Sequence, residues 1–311
     1  MRILYGIQLN GNGHITRSLE LINQLKSKGY DVDIIASGGN YSLELPDYIK
    51  KFKGLSMYFN KSGKINKLKT ILSLNIFKLI KDIHYDCSEY DLVISDFEPI
   101  SAYSAKRYKV KSIGISNQVS ITKSNFFESL FIKYFSPCDY YIPLDYTMGY
   151  QPIISDKLLT DKVSDRGFYL VYLAAYSLQH IKNELENSNK KFKVYSSDVI
   201  KDYTYRNIEF KKANKNSFQS DLLKCSGVIT ASGFSTTSEA LVLGKRLWSI
   251  PIKGQFEQID NAIKLNKLGV YTDDLTSKNL ENWLNNYTKV DYKWTNPIES
   301  IVSKIKEIYE S

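Results

Sequence analysis

The chain has 311 residues, of which 43% are hydrophobic and 24% charged; this excludes an intrinsically disordered protein. Three cysteines, Cys87, Cys138 and Cys225, exclude a disulfide framework and suit a reducing compartment. Lys and Arg number 42 against 33 Asp and Glu, a formal charge of +9, which invites a polyanionic partner. The lysines are scattered, however, and no zinc-finger, basic-zipper or RNP-like spacing accompanies them, so nucleic acid is not expected as a partner.

At about 150 residues per domain, the length suggests two domains. Residues 2–9 are an apolar run of β-formers, followed by a turn cluster at 10–13. The opening apolar run, 3–7, is too short for a signal-peptide core, and no run approaches a bilayer span, so a cytoplasmic location is expected. Residues 16–28 carry Leu19, Ile22 and Leu25 at helical spacing, and Gly29 closes that helix. Residues 32–36 form the next strand. Strand, helix and strand joined by short loops imply a right-handed crossover and a parallel sheet.

In residues 64–83, Leu68, Leu72, Ile76, Leu79 and Ile83 share a helical stripe, with lysines elsewhere. This suits a helix packed on the sheet with a solvated lysine face, or peripheral contact with an anionic inner membrane face. The strand–helix–strand pattern returns at 91–95, 100–107 and 111–115. It returns again at 167–173, 177–187, 192–196, 227–231, 236–243, 246–250 and 258–268. Residues 137–166 hold Pro137, Pro143, Pro152 and Gly149 and read as an interdomain link. Pro297 opens a last amphipathic segment, 298–309, expected to cross back to the first domain.

Four segments carry chemistry. The first is Gly11-Asn12-Gly13-His14-Ile15-Thr16-Arg17, where a strand ends and a helix begins. Glycines there let a ligand approach the backbone, and a histidine can serve as general base near neutral pH. The spacing is not that of the dinucleotide fingerprint, and His14 could instead cap the helix or fill a gap. The second holds Asp96 and Glu98 just beyond a strand's carboxyl end, where open α/β sheets bind ligands. A carboxylate there can orient a neutral histidine and stabilise its cation; either residue could instead cap the helix after Pro99.

The third segment, residues 229–241, runs from a strand through a small-residue loop, Ser232-Gly233-Phe234-Ser235-Thr236, into a helix. Backbone N–H groups, hydroxyls and the helix dipole can hold a diphosphate there. Glu239, one turn on, can reach a ribose; alternatively Thr236 and Glu239 have capping-box spacing. The fourth, residues 251–262, offers Gln255, Glu257 and Gln258 as donors and acceptors for sugar hydroxyls, or is a solvated loop. Asp31-Val32-Asp33 looks like a metal-binding D-x-D, but it enters a strand with both side chains on one exposed face. No metal site is expected.

In this order the four segments resemble the GT-B nucleotide-sugar glycosyltransferases. The late train is similar to that of the UDP-glycosyltransferases and the lipid II-forming N-acetylglucosaminyltransferase. The likeness covers nearly the whole chain and is strongest at 1–40, 91–118 and 227–270. It implies two Rossmann-like, doubly wound parallel-sheet domains facing a cleft. Residues 1–145 would form the acceptor side, residues 150–296 would bind the nucleotide sugar, and 297–311 would pack back on the first domain.

By that resemblance His14 is the base or lies at the reacting centre, and Asp96 partners it. Ser232, Gly233, Ser235 and Thr236 form the diphosphate loop, Glu239 binds ribose, and Glu257 and Gln258 meet the donor sugar, with Gln255 beside them a further donor-binding candidate from its place in the loop. Gly11, Gly13, Arg17 and Glu98 lie on the acceptor side. Phe234 stands where many relatives have Gly, which implies a differently shaped loop. Ala231 stands where retaining enzymes often have a first glutamate, which favours inversion. The implied activity is metal-independent transfer of a hexosyl or N-acetylhexosaminyl group from a UDP-sugar, without a cofactor, to a glycan or lipid-linked hydroxyl. A nucleotide-sugar hydrolase and a non-catalytic sugar-nucleotide or glycan binder are the alternatives.

Overall fold

The protein was analysed as a computed structural model, and the structure describes residues 1–40, 45–54, 80–121 and 126–311. The amphipathic stripe at 64–83 lies outside the described residues except for its last four. The described chain divides into two units, one comprising the residues up to Ser155 together with Thr295–Ser311, the other Asp156–Trp294.

The first unit is built on six parallel strands: β1 (Arg2–Asn10), β2 (Asp31–Asn40), β3 (Lys50–Phe52), β4 (Leu92–Asp96), β5 (Ser112–Ser116) and β6 (Tyr140–Pro143), in the order 3-2-1-4-5-6. Strands β4 and β5 are buried throughout, as expected of a parallel sheet covered on both faces. The strand order reverses between β1 and β4, which pair with Ile7 opposite Asp96. The carboxyl ends of those two strands therefore form the switch point where such sheets bind ligands.

Helix α1 (Asn12–Ser27) follows β1 and buries Ile15, Leu21, Ile22 and Leu25; Gly29 ends it at φ 83°, a left-handed position that favours glycine. Helix α2 (Pro99–Tyr108) follows β4, and α3 (Phe126–Phe135) lies between β5 and β6. The turn-rich stretch 137–166, expected as a link, carries the sheet's last strand before the division at Ser155. Pro143 is tolerated because it ends an edge strand and has no N–H to lose there.

The second unit contains β7 (Phe168–Tyr172), β8 (Lys191–Ser196), β9 (Tyr203–Tyr205), β10 (Ile208–Lys212), β11 (Gly227–Ala231) and β12 (Arg246–Ile250), in the order 12-11-7-8-10-9 with only β9 antiparallel. Its helices are α4 (Asp156–Thr160), α5 (Leu178–Leu185), α6 (Lys215–Lys224), α7 (Phe234–Val242), α8 (Phe256–Lys267) and α9 (Ser277–Asn286). Val171, Phe192, Ile229, Trp248 and Trp283 meet in its core. The reversal here lies between β7 and β11, so the loop after Ala231 occupies the corresponding switch point. The β9–β10 hairpin and α6 were not foreseen from sequence, although Ile208 and Phe210 keep the period-2 burial of a strand.

Helix α10 (Ile298–Glu310) buries Ile298, Ile301, Val302, Ile305 and Ile308 within the first unit. Glu299 pairs with Lys28 at 2.7 Å, and Lys111 donates to the carbonyl of Ile308 at 2.9 Å.

At Gly6, in the middle of β1, an added Cβ would lie 2.0 Å from Ser101 Oγ and 2.6 Å from Ser101 Cβ on the incoming α2. Rotating the serine hydroxyl relieves the first overlap but not the second. Gly6→Ala should therefore cost about 1–3 kcal/mol of stability, read as a lowered urea midpoint at unchanged slope.

Candidate functional site

Helix α1 starts immediately after Gly11, whose φ of 103° is accessible to glycine at little cost. That turn brings His14 and Arg17, one helical turn apart, over the carboxyl end of β4. His14 Nδ1 lies 2.8 Å from Asp96 Oδ1. Arg17 donates from Nε to Asp96 Oδ2 at 2.8 Å and from Nη2 to Oδ1 at 2.5 Å. The Ser18 hydroxyl donates to Oδ2 at 2.9 Å. Asp96, His14 and Arg17 are all buried. Burial pushes the Asp96 carboxyl up, but Arg17 and His14 outweigh it and hold the group well below the usual carboxylate range.

Arg17 Nη2 also lies 2.9 Å from His14 Nδ1. One nitrogen cannot both donate to Asp96 and accept from Arg17. With an ionised carboxylate at 2.8 Å, the favoured tautomer carries its proton on Nδ1 and leaves the Nε2 lone pair for chemistry. Nε2 faces the Gln118 amide nitrogen at 3.4 Å. Arg17 reaches onward from Nη1 to Asn117 Oδ1 at 2.8 Å. Arg17 is thus built into the histidine–aspartate pair.

Glu98 is assigned differently from the acceptor-side expectation. It caps α2, accepting from the N–H groups of Ile100 at 2.9 Å and Ser101 at 2.6 Å, and it also accepts from the Ser37 hydroxyl. It is wholly buried, so the capping alternative accounts for both oxygens. Gly11 makes the turn and Gly13 lies in the first turn of α1. Asp31 and Asp33 are both engaged by Arg2, at 3.6 and 2.9 Å.

In the second unit, Ser232 also departs from expectation. It is fully buried, its hydroxyl pairs with Ser249 at 2.7 Å, and its carbonyl accepts from Asn261 at 2.9 Å. Its side chain therefore braces the loop rather than facing a ligand. Gly233 is the N-cap of α7 at φ −72°, and an added Cβ there would meet no heavy atom within 4 Å. The fold does not require glycine at that position; the space above the backbone is open. Phe234 turns into the core as the first residue of the helix. Because the cap is Gly233, Thr236 and Glu239 are not a capping box.

The hydroxyls of Thr237 and Ser238 donate to carbonyls of their own turn, while Ser235 and Thr236 are partly exposed at the helix start. Glu239 is half-buried and its carboxylate has no hydrogen-bond or ion-pair partner among the described residues. Burial pushes it up to about 7, and Lys215 opposes that shift only in part. On the next loop, Gln258 donates to Gln255 Oε1 at 2.9 Å and accepts from the Ile252 N–H at 3.1 Å, so the two amides hold the turn at the start of α8. Glu257 lies half-buried in the first turn of α8.

Asn117, Gln118 and Asn261 were not named as site residues from sequence. The first two stand just past a strand's carboxyl end, the same placement that marked Asp96. Asn261 acts through the loop backbone, and residue type alone does not show that.

The two switch-point sheets define the GT-B class of glycosyltransferase architecture. The family model for glycosyl transferase family 1 matches residues 1–136 and 139–288, and the chain belongs to that family. No curated protein matches it by sequence. Among solved structures it is similar to MurG of Acinetobacter baumannii, with a TM-score of 0.60 at 12% identity over 98% of this chain and 99% of that one. It is similar to Arabidopsis thaliana UGT89C1 complexed with UDP, with a TM-score of 0.60 at 14% identity over 99% and 94%. The glycosyltransferase SnogD of Streptomyces nogalater gives 0.56 at 14% over 100% and 95%. No described helix is long and apolar enough to cross a membrane.

Glu239 also sets a pH signature. Its folded value of about 7 lies above its ordinary 4.5, so ionisation destabilises the folded state as pH rises between those values, and the penalty is constant above. Glu239→Gln should match the wild type near pH 4 and exceed its stability by about 1–2 kcal/mol at pH 8, measured by denaturant unfolding. Equal stability at both pH values would mean that the carboxylate is solvated or paired.

Proposed function

We propose that the protein is an inverting glycosyltransferase that moves a hexosyl or N-acetylhexosaminyl group from a UDP-sugar to a hydroxyl of a glycan or lipid-linked acceptor. The observation that carries this reading is His14, buried, with Nδ1 on ionised Asp96 and Nε2 turned to a polar surround. Such a histidine takes the acceptor's hydroxyl proton on Nε2 as the oxygen attacks the anomeric carbon. The bond from that carbon to the diphosphate oxygen breaks on the opposite face, and the nucleoside diphosphate leaves with the bonding pair. The imidazolium is stabilised by Asp96, which Arg17 keeps ionised and in place.

The donor half of the reading rests on the open N-terminus of α7. Its first-turn N–H groups have no intrahelical acceptors and, with the helix dipole, suit a diphosphate. The hydroxyls of Ser235 and Thr236 add donors, and the missing Cβ of Gly233 leaves room for the phosphate to approach the backbone. Glu239, unpaired, suits two vicinal ribose hydroxyls. The leaving charge is met by backbone and helix, so the proposed reaction needs no metal and no cofactor. A glycan or lipid-linked acceptor would suit cell-envelope polysaccharide synthesis at the cytoplasmic membrane face.

Two variants test the two halves separately. Gly233→Ala should keep its folding stability within about 1 kcal/mol yet weaken UDP binding by at least tenfold in calorimetry. His14→Ala should bind UDP as the wild type does and lose about 10²–10⁴-fold in turnover. Full turnover by His14→Ala would contradict the base assignment, and release of free sugar with no acceptor present would identify a hydrolase.

A further inference from the structure

We propose that the groove between α4 and α6 is a second binding site, for a phosphate-bearing ligand. The groove encloses about 370 Å³, within the range of small-ligand cavities. It is a fixed feature of the second unit. The Ser164 N–H donates to the Leu223 carbonyl and the Arg166 N–H to that of Lys224, each at 2.9 Å. The Lys245 ammonium locks the crossing, donating to the carbonyls of Ser164, Leu223 and Cys225 at 2.8–2.9 Å.

Into this groove the fold directs donors that it does not itself use. Gln219 is 94% buried, since its exposure is 6%, and its amide has no hydrogen-bond partner among the described residues. The amide atoms themselves keep access to the groove, so the group can serve a bound ligand without first breaking a protein hydrogen bond. Lys157 and Lys162 also line the groove and form no ion pair among the described residues, while Lys224 donates to Ser220 Oγ at 2.7 Å. Three lysines and one carboxylate, Asp161, line the groove, for a local formal charge of +2. Ammonium and amide donors along one groove suit the several acceptor oxygens of a phosphate; Asp161 can accept from a neighbouring hydroxyl.

The groove shares no lining residue with the loop at Gly233 or with Glu239. It runs along α6 from Asn216 to Lys224, just ahead of β11, whereas Gly233 and Glu239 follow the end of β11. The phosphate could belong to a soluble phosphate ester or to a phospholipid headgroup, and the experiment separates the two.

The whole protein is titrated with inorganic phosphate and with glycerol 3-phosphate, and its flotation is measured with phosphatidylglycerol and with phosphatidylcholine vesicles. The expected result is saturable binding of the soluble probes or of the phosphatidylglycerol vesicles. That binding should fall at least about tenfold in the double variant Lys157→Gln/Lys162→Gln and in Gln219→Leu. It should be unchanged in a charge-matched control at the exposed Lys190 and Lys191. Binding of soluble probes identifies a phosphate ester, and binding confined to phosphatidylglycerol vesicles identifies a headgroup. If Gln219→Leu fails to fold, the lysine variant and its control decide alone. No saturable binding of any probe, or equal binding by the lysine variant and the control, overturns the proposal.

Discussion

The first unit is organised around one buried carboxylate. Asp96 has been taken out of water at the end of β4, which is expensive for an ion unless it is paired and hydrogen-bonded. Arg17, His14 and Ser18 supply four contacts to its two oxygens. All three come from α1, so satisfying Asp96 fixes the rotation of that helix about its axis. The glycine turn at Gly11 and the pairing of Ile7 opposite Asp96 then place His14 at the sheet's switch point. The same contacts that make the carboxylate tolerable aim the imidazole. Removing Arg17 would leave Asp96 short of its charge partner, so its role extends beyond a surface contact.

The second unit shows the opposite economy. Around Gly233 the fold spends hydrogen bonds on bracing the loop from behind, through Ser232, Ser249 and Asn261, and leaves its front unfilled. Glu239 is held half-buried without a partner, a state that costs stability and that a structural residue would have no reason to keep. An open backbone, unused hydroxyls and a carboxylate without a hydrogen-bond partner on one helix are the features on which the proposed donor site rests. Glu98 makes the contrast clear: also acidic and just past a strand end, it has both oxygens occupied, by the start of α2 and by Ser37 on β2.

Much of this was legible in the sequence. The β–α–β alternation, and the positions of His14, Asp96 and Glu239 beside strand-to-helix turns, follow from apolar runs broken by glycine and small-residue loops. What was not legible depends on direction or on distant partners. Nothing local distinguishes Asp96, which points over the sheet toward α1, from Glu98, which turns back onto its own helix. Ser232 and Ser235 are alike in type, but one is fully buried against Ser249 and the other is partly exposed. The pairing of Arg17 with Asp96 joins residues 79 positions apart, and only the strand order shows that they meet. The hairpin of β9 and β10 was missed because Arg206 adopts a positive φ of 51°, where glycine or asparagine is the usual signal.

The central claim is that Asp96 fixes the tautomer of His14 and so leaves Nε2 as the base. The direct measurement is the ¹⁵N spectrum of His14 in the folded protein near pH 8, with Asp96→Asn as reference. The account predicts a protonated Nδ1 and an unprotonated Nε2 in the wild type, with that preference lost in the variant. A proton on Nε2 and a bare Nδ1, accepting from the Arg17 Nη2 that lies 2.9 Å away, would contradict it: His14 could not then take a proton on Nε2.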